Sequence, residues 1–268
     1  MRILVCIKQV PASSNVKVDP ETGNLLRTSS DTKLNPYDEY ALETALQIKT
    51  ITNSINKSTT VSVITMGAPF SEEILREAYG FGADEAYLLT DPAFAGADVL
   101  ATSFALSQAI QVIGPFDLII CGRQTTDGDT AQVGPALAEW LKIPHISWVS
   151  KIISLNPTEI IVEQDMGDLK ADAAMPYPCL ITVEKDIFRP RLPSYLLLKN
   201  TKNRMIKSLS VSDLPCKDIK RYGLLGSPTQ VEKIFPPESG ESSEVFIGSG
   251  EEVADLIFEK LNSLKLIN

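Results

Sequence analysis

Short apolar runs alternate with amphipathic stretches along the first two thirds of the chain. Arg2–Ile7 is the first such run, and Thr59–Met66 and Glu85–Thr90 follow. Runs of this length with branched side chains and flanking turn residues predict strands buried on both faces. Helical spacing lies between them. Asn35-Pro36 predicts a helix start, with Asn as N-cap and Pro in the first turn, and its stripe is Ala41, Leu42, Ala45 and Leu46. Ser71 predicts the cap of a helix through Tyr79 that Gly80–Ala83 close, and Asp98 the cap of a helix over Val99–Ile113. Lys8–Leu34 is polar and turn-rich and has room for a small hairpin around Gly23.

The most informative stretch is Phe116–Leu141. Phe116–Cys121 predicts a strand and Gly122–Asp129 a loop. From Thr130, Val133, Ala136, Leu137, Trp140 and Leu141 line one helical face; Asp129 predicts the N-cap, and Gln132 completes a capping-box pattern. Pro135 has no N–H for the carbonyl of Ala131, which loosens the first turn. A strand, a Gly-containing loop and a helix N-terminus make an anion site, so a nucleotide phosphate is one reading. An ordinary capped strand–helix connection is the other, because the loop is neither GxGxxG nor a Walker motif. Asp91–Asp98, with Gly96 between alanines, predicts a second anion-ready helix end. Two such ends suit a dinucleotide.

The alternation predicts an α/β fold with a doubly wound, mainly parallel, flavodoxin- or Rossmann-like sheet. Ligands on such sheets bind outside the carboxyl ends of the strands. Four loops therefore converge on one edge: Lys8 onward, Met66-Gly67, Asp91–Asp98 and Gly122–Asp129. Ile146–Ile153, Glu159–Val162 and Cys179–Val183 predict further strands. From Phe188 the rhythm is lost. Residues 1–186 are expected to form the nucleotide-binding domain, and 187–268 an extended C-terminal arm with a turn-rich linker at 235–243. The arm ends in an amphipathic terminal helix over Glu251–Leu266, striped by Val253, Leu256, Ile257, Leu261 and Leu264. A partner is expected to cover the arm's apolar positions; folding back on the same chain is the alternative.

Charge narrows the classes. Among 268 residues, 25 Lys and Arg stand against 34 Asp and Glu, a net −9, which argues against nucleic acid as partner. Cys6, Cys121, Cys179 and Cys216 form no CxxC pair and read as reduced thiols, not as metal ligands. No apolar run reaches the ~18 residues of a membrane span. The N-terminus enters a strand without a signal peptide, and a cytosolic compartment is expected. The single histidine, His145, reads as structural. Asp127 and Asp129 read as cap and turn residues before acid–base groups or Mg²⁺ ligands. Arg123, beside the anion loop, has the chemistry to pair with phosphate or to stand next to a redox ring. With no evident acid, base or nucleophile, a bound dinucleotide would carry the chemistry.

The segments ILVCIKQVP, NPYDEYALE at 35–43, Ile64–Gly67 and above all GRQTTDGDTAQVGP at 122–135 resemble the beta subunits of the electron-transferring flavoproteins. The resemblance covers nearly the whole chain. In the ordinary class of that family the beta subunit holds structural AMP and the flavin belongs to the alpha subunit. In the electron-bifurcating class it holds FAD, which exchanges a hydride with NAD(H) and divides the electrons between ferredoxin or flavodoxin and the alpha-subunit FAD. DPAFAGADVLATS at 91–103 and GDTAQVG resemble the bifurcating class, which implies FAD, a heterodimer, a flavin dehydrogenase of acyl-CoA or lactate type, and the cytoplasm of an anaerobic bacterium. A non-redox scaffold holding AMP is the alternative. The resemblance implies that Cys6, Asn35, Tyr37, Asp38, Met66 and Gly128, Asp129, Thr130, Ala131, Gln132, Val133 and Gly134 hold the AMP half. It implies Arg123 and Asp127 nearer the pyrophosphate and ring, with Phe94, Gly96, Ala97, Asp98 and Thr102 on the flavin side. Arg123 is the expected catalytic residue, stabilising reduced flavin. RPR at 189–191 resembles the family's dehydrogenase-docking segment, with Tyr195-Leu196 where that pattern has Leu-Pro.

Overall fold

A computed structural model describes residues 1–12, 32–54, 58–230 and 245–267. The turn around Gly23 and the linker at 235–243 lie outside these. The strands are β1 (Arg2–Cys6), β2 (Gln9–Pro11), β3 (Thr32–Leu34), β4 (Thr60–Met66), β5 (Glu85–Leu89), β6 (Leu118–Gly122), β7 (His145–Leu155), β8 (Glu159–Asp165), β9 (Lys170–Pro176), β10 (Cys179–Val183) and β11 (Ile206–Leu209). The helices are α1 (Pro36–Ser54), α2 (Glu72–Phe81), α3 (Val99–Ile113), α4 (Val133–Leu141), α5 (Tyr195–Thr201) and α6 (Gly250–Ser263).

A nine-stranded sheet runs β11-β5-β4-β1-β6-β10-β7-β8-β9. β11 through β7 are parallel, and β8 and β9 extend the sheet antiparallel beyond β7. Both faces are covered, because successive strand residues point to opposite sides. Ile3 and Val5 of β1 join Leu42 and Leu46 of α1 and Leu75 of α2 in one core. Leu4 points the other way, into a core with Phe104 of α3 and Leu137 of α4. The apolar runs of β1 and β6 thus lose nearly all contact with water, as the doubly wound reading requires. β2 and β3 form a separate antiparallel pair, with Gln9 opposite Leu34. No helix among the described residues is long and apolar enough to cross a membrane.

The chain divides into two compact units, Met1–Glu232 and Lys233–Asn268. Much of the expected arm therefore belongs to the first unit. β11 pairs with β5 from Ile206↔Ala86 to Leu209↔Leu89. α5 rests on α2, where Ser194 donates to the Gly80 carbonyl at 2.9 Å. Val211, Leu214 and Tyr222 are buried in the second core. A four-residue strand is too short for periodicity to reveal, and its burial depends on an edge that forms 120 positions earlier. In the second unit, α6 carries a capping box between Ser249 and Glu252, and Leu256, Ile257, Phe258 and Leu264 are exposed.

His145 is exposed at the start of β7, so it is not the satisfied structural histidine the sequence suggested. All four cysteines are unpaired; Cys121 and Cys179 are buried, and Cys6 and Cys216 partly so.

Candidate functional site

The chain leaves β1 toward β4 on one side and later returns to lay β6 on the other. The carboxyl ends of β1 and β6 therefore send their loops apart and leave a crevice, the switch point of the sheet. Cys6 and Cys121 are register partners at its floor. Bonds of three residues, Asp38, Asn35 and Lys8, organise its walls. Asp38, buried in the first turn of α1, accepts the Lys8 N–H at 2.8 Å and a second backbone bond from Gly122. Asn35 accepts the Thr126 N–H at 3.3 Å and donates Nδ2 to the Gln124 carbonyl at 2.9 Å. Lys8 Nζ meets both carboxylate oxygens of Asp127 at 2.8 Å. The Asn35 side chain is therefore not the cap of α1; it ties α1 to the loop after β6. Glycine at 122 permits the approach, since a Cβ there would lie 2.5 Å from Asp38 Oδ1 and 2.7 Å from the Tyr37 carbonyl oxygen.

Burial pushes the Asp38 carboxyl up to about 7, against the opposing pull of Asn35, Lys8 and Gly122. Burial also raises Asp127, but bonds from Lys8 and Thr125 and the Lys8 charge outweigh it and leave its carboxyl below the usual range.

The anion loop differs from its sequence reading. α4 begins at Val133, and neither Asp129 nor Gln132 caps it: its N-cap residue, Gln132, makes no side-chain cap bond. Asp129 and Ala131 are both left-handed, with φ of 52° and 54°, and the Asp129 carboxylate accepts Gln124 Nε2. Left-handed alanine costs about 1 kcal/mol and persists where surroundings over-determine it, which happens at functional sites. Alternation with the right-handed Gln132 turns successive N–H groups toward one side, an anion-binding nest. Gly134 lets this helix end reach the sheet; a Cβ would stand 2.6 Å from Thr182 Cγ2 on β10. An uncapped helix start joined to a nest leaves several N–H donors for a phosphate.

Arg123 leaves the end of β6 with its N–H bonded to the Val183 carbonyl at 3.0 Å. It is not a free cation. Its Nη1 lies 2.8 Å from Glu184 Oε1, and its guanidinium lies 4.7 Å from the centre of the Trp148 ring. Nε is buried with no hydrogen-bond partner among the described residues. Trp148 is held left-handed, φ 62°, at a bulge where its N–H bonds Thr182 Oγ1. Lys8, Trp148 and Glu184 escaped the sequence reading. Glu184 follows a strand at its carboxyl end, which was the available signal.

Met66, at the end of β4, lies on the same edge, as do the residues expected on the flavin side, which follow β5. Phe94 is buried edge-on against Tyr222, ring centres 5.4 Å apart. Gly96 is left-handed at φ 73°, and Thr102 donates its N–H to the Asp98 carbonyl in the first turn of α3. Asp98 caps α3 through Oδ1, which accepts the Ala101 N–H at 3.0 Å. Only one of the two expected anion-ready helix ends is thus open: α3 is closed by its own cap, and α4 is not. Cys6, Asn35, Tyr37, Asp38, Arg123, Asp127 and the 128–134 loop meet at the switch point. Phe94, Gly96, Ala97, Asp98 and Thr102 form a second cluster two strands away.

A family model described as an electron transfer flavoprotein domain matches residues 22–214. The chain is 42% identical, over the full length of both, to the electron transfer flavoprotein subunit beta of Thermoanaerobacterium thermosaccharolyticum. It is 41% identical, again over both full lengths, to the caffeyl-CoA reductase-Etf complex subunit CarD of Acetobacterium woodii. It is also 41% identical to protein FixA of Sinorhizobium fredii, over 97% of this chain and 92% of that one.

Proposed function

This chain belongs to the electron transfer flavoprotein family, and from that premise we propose that it is a beta subunit that holds FAD in an electron-bifurcating heterodimer. The observation that carries the nucleotide reading is the uncapped start of α4 beside the left-handed Asp129 and Ala131, at the switch point of the sheet. The donor set suits a phosphate, and glycine at 122 and 134 lets the loop and the start of α4 pack directly against α1 and β10. The backbones of Cys6 and Met66, at the ends of β1 and β4, would read an adenine edge. DPAFAGADVLATS supports the flavin half.

FAD bound here would supply hydride exchange with NAD(H) and the division of two electrons between ferredoxin or flavodoxin and the alpha-subunit FAD. The residues of this chain bind and orient. The α4 N–H groups and Thr130 hold phosphate, while Asn35 and the Lys8–Asp127 pair fix the loop that presents them. Arg123, with its planar group set by Glu184 and Trp148, places a partly neutralised positive charge beside the site. The similarity to a subunit named for a caffeyl-CoA reductase complex supports a dehydrogenase acting on CoA thioesters as the partner.

The single open helix end favours a second reading, a structural AMP with one phosphate. FAD and AMP content per heterodimer, followed by anaerobic NADH titration, separates the two. Two FAD, no AMP and bleaching by NADH is the expected result; one FAD with one AMP, inert to NADH, would overturn the bifurcating reading.

A further inference from the structure

The loop from Phe94 to Asp98 follows a short turn in which the Phe94 and Ala95 N–H groups bond the Asp91 and Pro92 carbonyls at 3.0 and 3.2 Å. Its side chains beyond Phe94 are short, and Gly96 is left-handed. A strap from Tyr222 to Thr229 lies across it. Gly223, left-handed at φ 52°, sits so close that a Cβ would be 2.2 Å from the Ala93 carbonyl oxygen and 2.6 Å from that of Ala95. The Leu224 N–H bonds the Ala95 carbonyl at 2.9 Å. Ser227 Oγ accepts the Asp98 N–H at 2.8 Å and donates to the Gly223 carbonyl at 2.7 Å. Capping α3 needs only Oδ1 of Asp98. The other oxygen, Oδ2, accepts both the hydroxyl and the N–H of Thr229, at 2.8 and 3.1 Å.

We infer that Ser227 and Thr229 are positioning residues that fix the Phe94–Asp98 loop for the flavin half of the bound cofactor. The inference rests on the FAD reading above. Asp98 is the joint: one carboxylate oxygen sets the start of α3, and the other locks the loop to a strap 131 residues later in the chain. A charge-assisted bond of this kind is stronger than a neutral one, so the strap dictates where the loop backbone stands. The AMP half depends on α4 and the ends of β1 and β6, which the strap bonds above do not involve. The strap should therefore distinguish FAD from AMP.

The test pairs Ser227→Ala with Thr229→Val in the full chain, assembled with its alpha subunit, and titrates the nucleotide-depleted complex separately with FAD and with AMP. The expected result is at least a tenfold weaker second FAD equivalent with unchanged AMP affinity, and native FAD affinity in Thr229→Ser alone, which keeps the hydroxyl. Unchanged FAD affinity, or equal weakening of FAD and AMP, would overturn the inference. A wild-type complex that takes AMP and no second FAD would sink the flavin reading instead. Hydrogen exchange at 94–98 then decides the strap: lost protection in the double variant supports positioning, and retained protection refutes it.

Discussion

Lys8 Nζ and the carboxylate of Asp127 stand 2.8 Å apart, joining the loop after β1 to the loop after β6 across the mouth of the crevice. The pair is half-open to water on the lysine side, so its direct contribution to stability is below about 1 kcal/mol. Its larger effect is to hold the anion loop in one place. Asp127→Asn should leave the denaturation midpoint nearly unchanged and weaken AMP or FAD binding by roughly fivefold, about 1 kcal/mol. Calorimetric titration checks this; an unchanged Kd would remove the pair from the site.

Gly122→Ala adds a methyl group against backbone on one side and the buried Asp38 on the other. Overpacking of this kind costs about 1–3 kcal/mol, and the rigid neighbours place it at the upper end. Urea unfolding measures the loss.

Asp38 gives a pH signature. Its folded-state pKa, pushed to about 7 by burial, lies above the ordinary carboxyl value of 3.8. Between those values the native protein binds the extra proton, so the stability contributed by Asp38 is complete below pH 3.8 and is lost as pH rises through 7. The slope is at most about 1.4 kcal/mol per pH unit. Asp38→Asn should flatten the difference in unfolding free energy between pH 5 and pH 8. A variant with the wild-type slope would show that another group is responsible.

Arg191 meets Glu43 through Nε at 2.7 Å, Nη2 at 2.8 Å and its backbone N–H at 3.2 Å, and the Glu43 side chain is only 3% exposed. The segment expected to dock a partner is thus anchored by its arginine to α1, while Leu192, Tyr195 and Leu196 are left in solvent. Burial raises Glu43, but the bonds from Arg191 and Gln47 prevail and hold it below its ordinary value, so this pair stabilises above the usual carboxylate range and loses effect as pH falls. Arg191→Ala leaves a buried carboxylate unpaired and should cost about 2–3 kcal/mol, discounted from the fully buried case because Arg191 is partly exposed. Thermal unfolding at pH 7 and pH 4 should show the penalty shrinking in acid.

On the FAD reading, Arg123→Ala should retain the flavin and shift its stepwise potentials, since it removes a positive charge and frees Glu184 beside the site. Glu184→Gln should shift them in the opposite direction, because it uncovers the arginine charge. Spectroelectrochemistry of both variants decides; potentials that stay at the wild-type values would end the assignment.

Local pattern in the sequence was enough for the strand–helix alternation, the parallel sheet class, the cap at Asp98 and the position of the anion loop. Each depends on periodicity or turn chemistry within about a dozen neighbours, where spacing and structure are tied by helix and strand geometry. Tertiary structure decided what the polar side chains in those elements do. Asn35 and Asp129 both have good capping chemistry, yet Asn35 binds a loop 89 residues away, and Asp129 turns left-handed and leaves α4 open. The partners of Lys8, Arg123 and Asp98 lie 119, 61 and 131 residues distant. A cap or a single hydrogen bond is worth about 1 kcal/mol. Burial of the surrounding core outweighs that, so the packed sheet edge, not local preference, selects each partner.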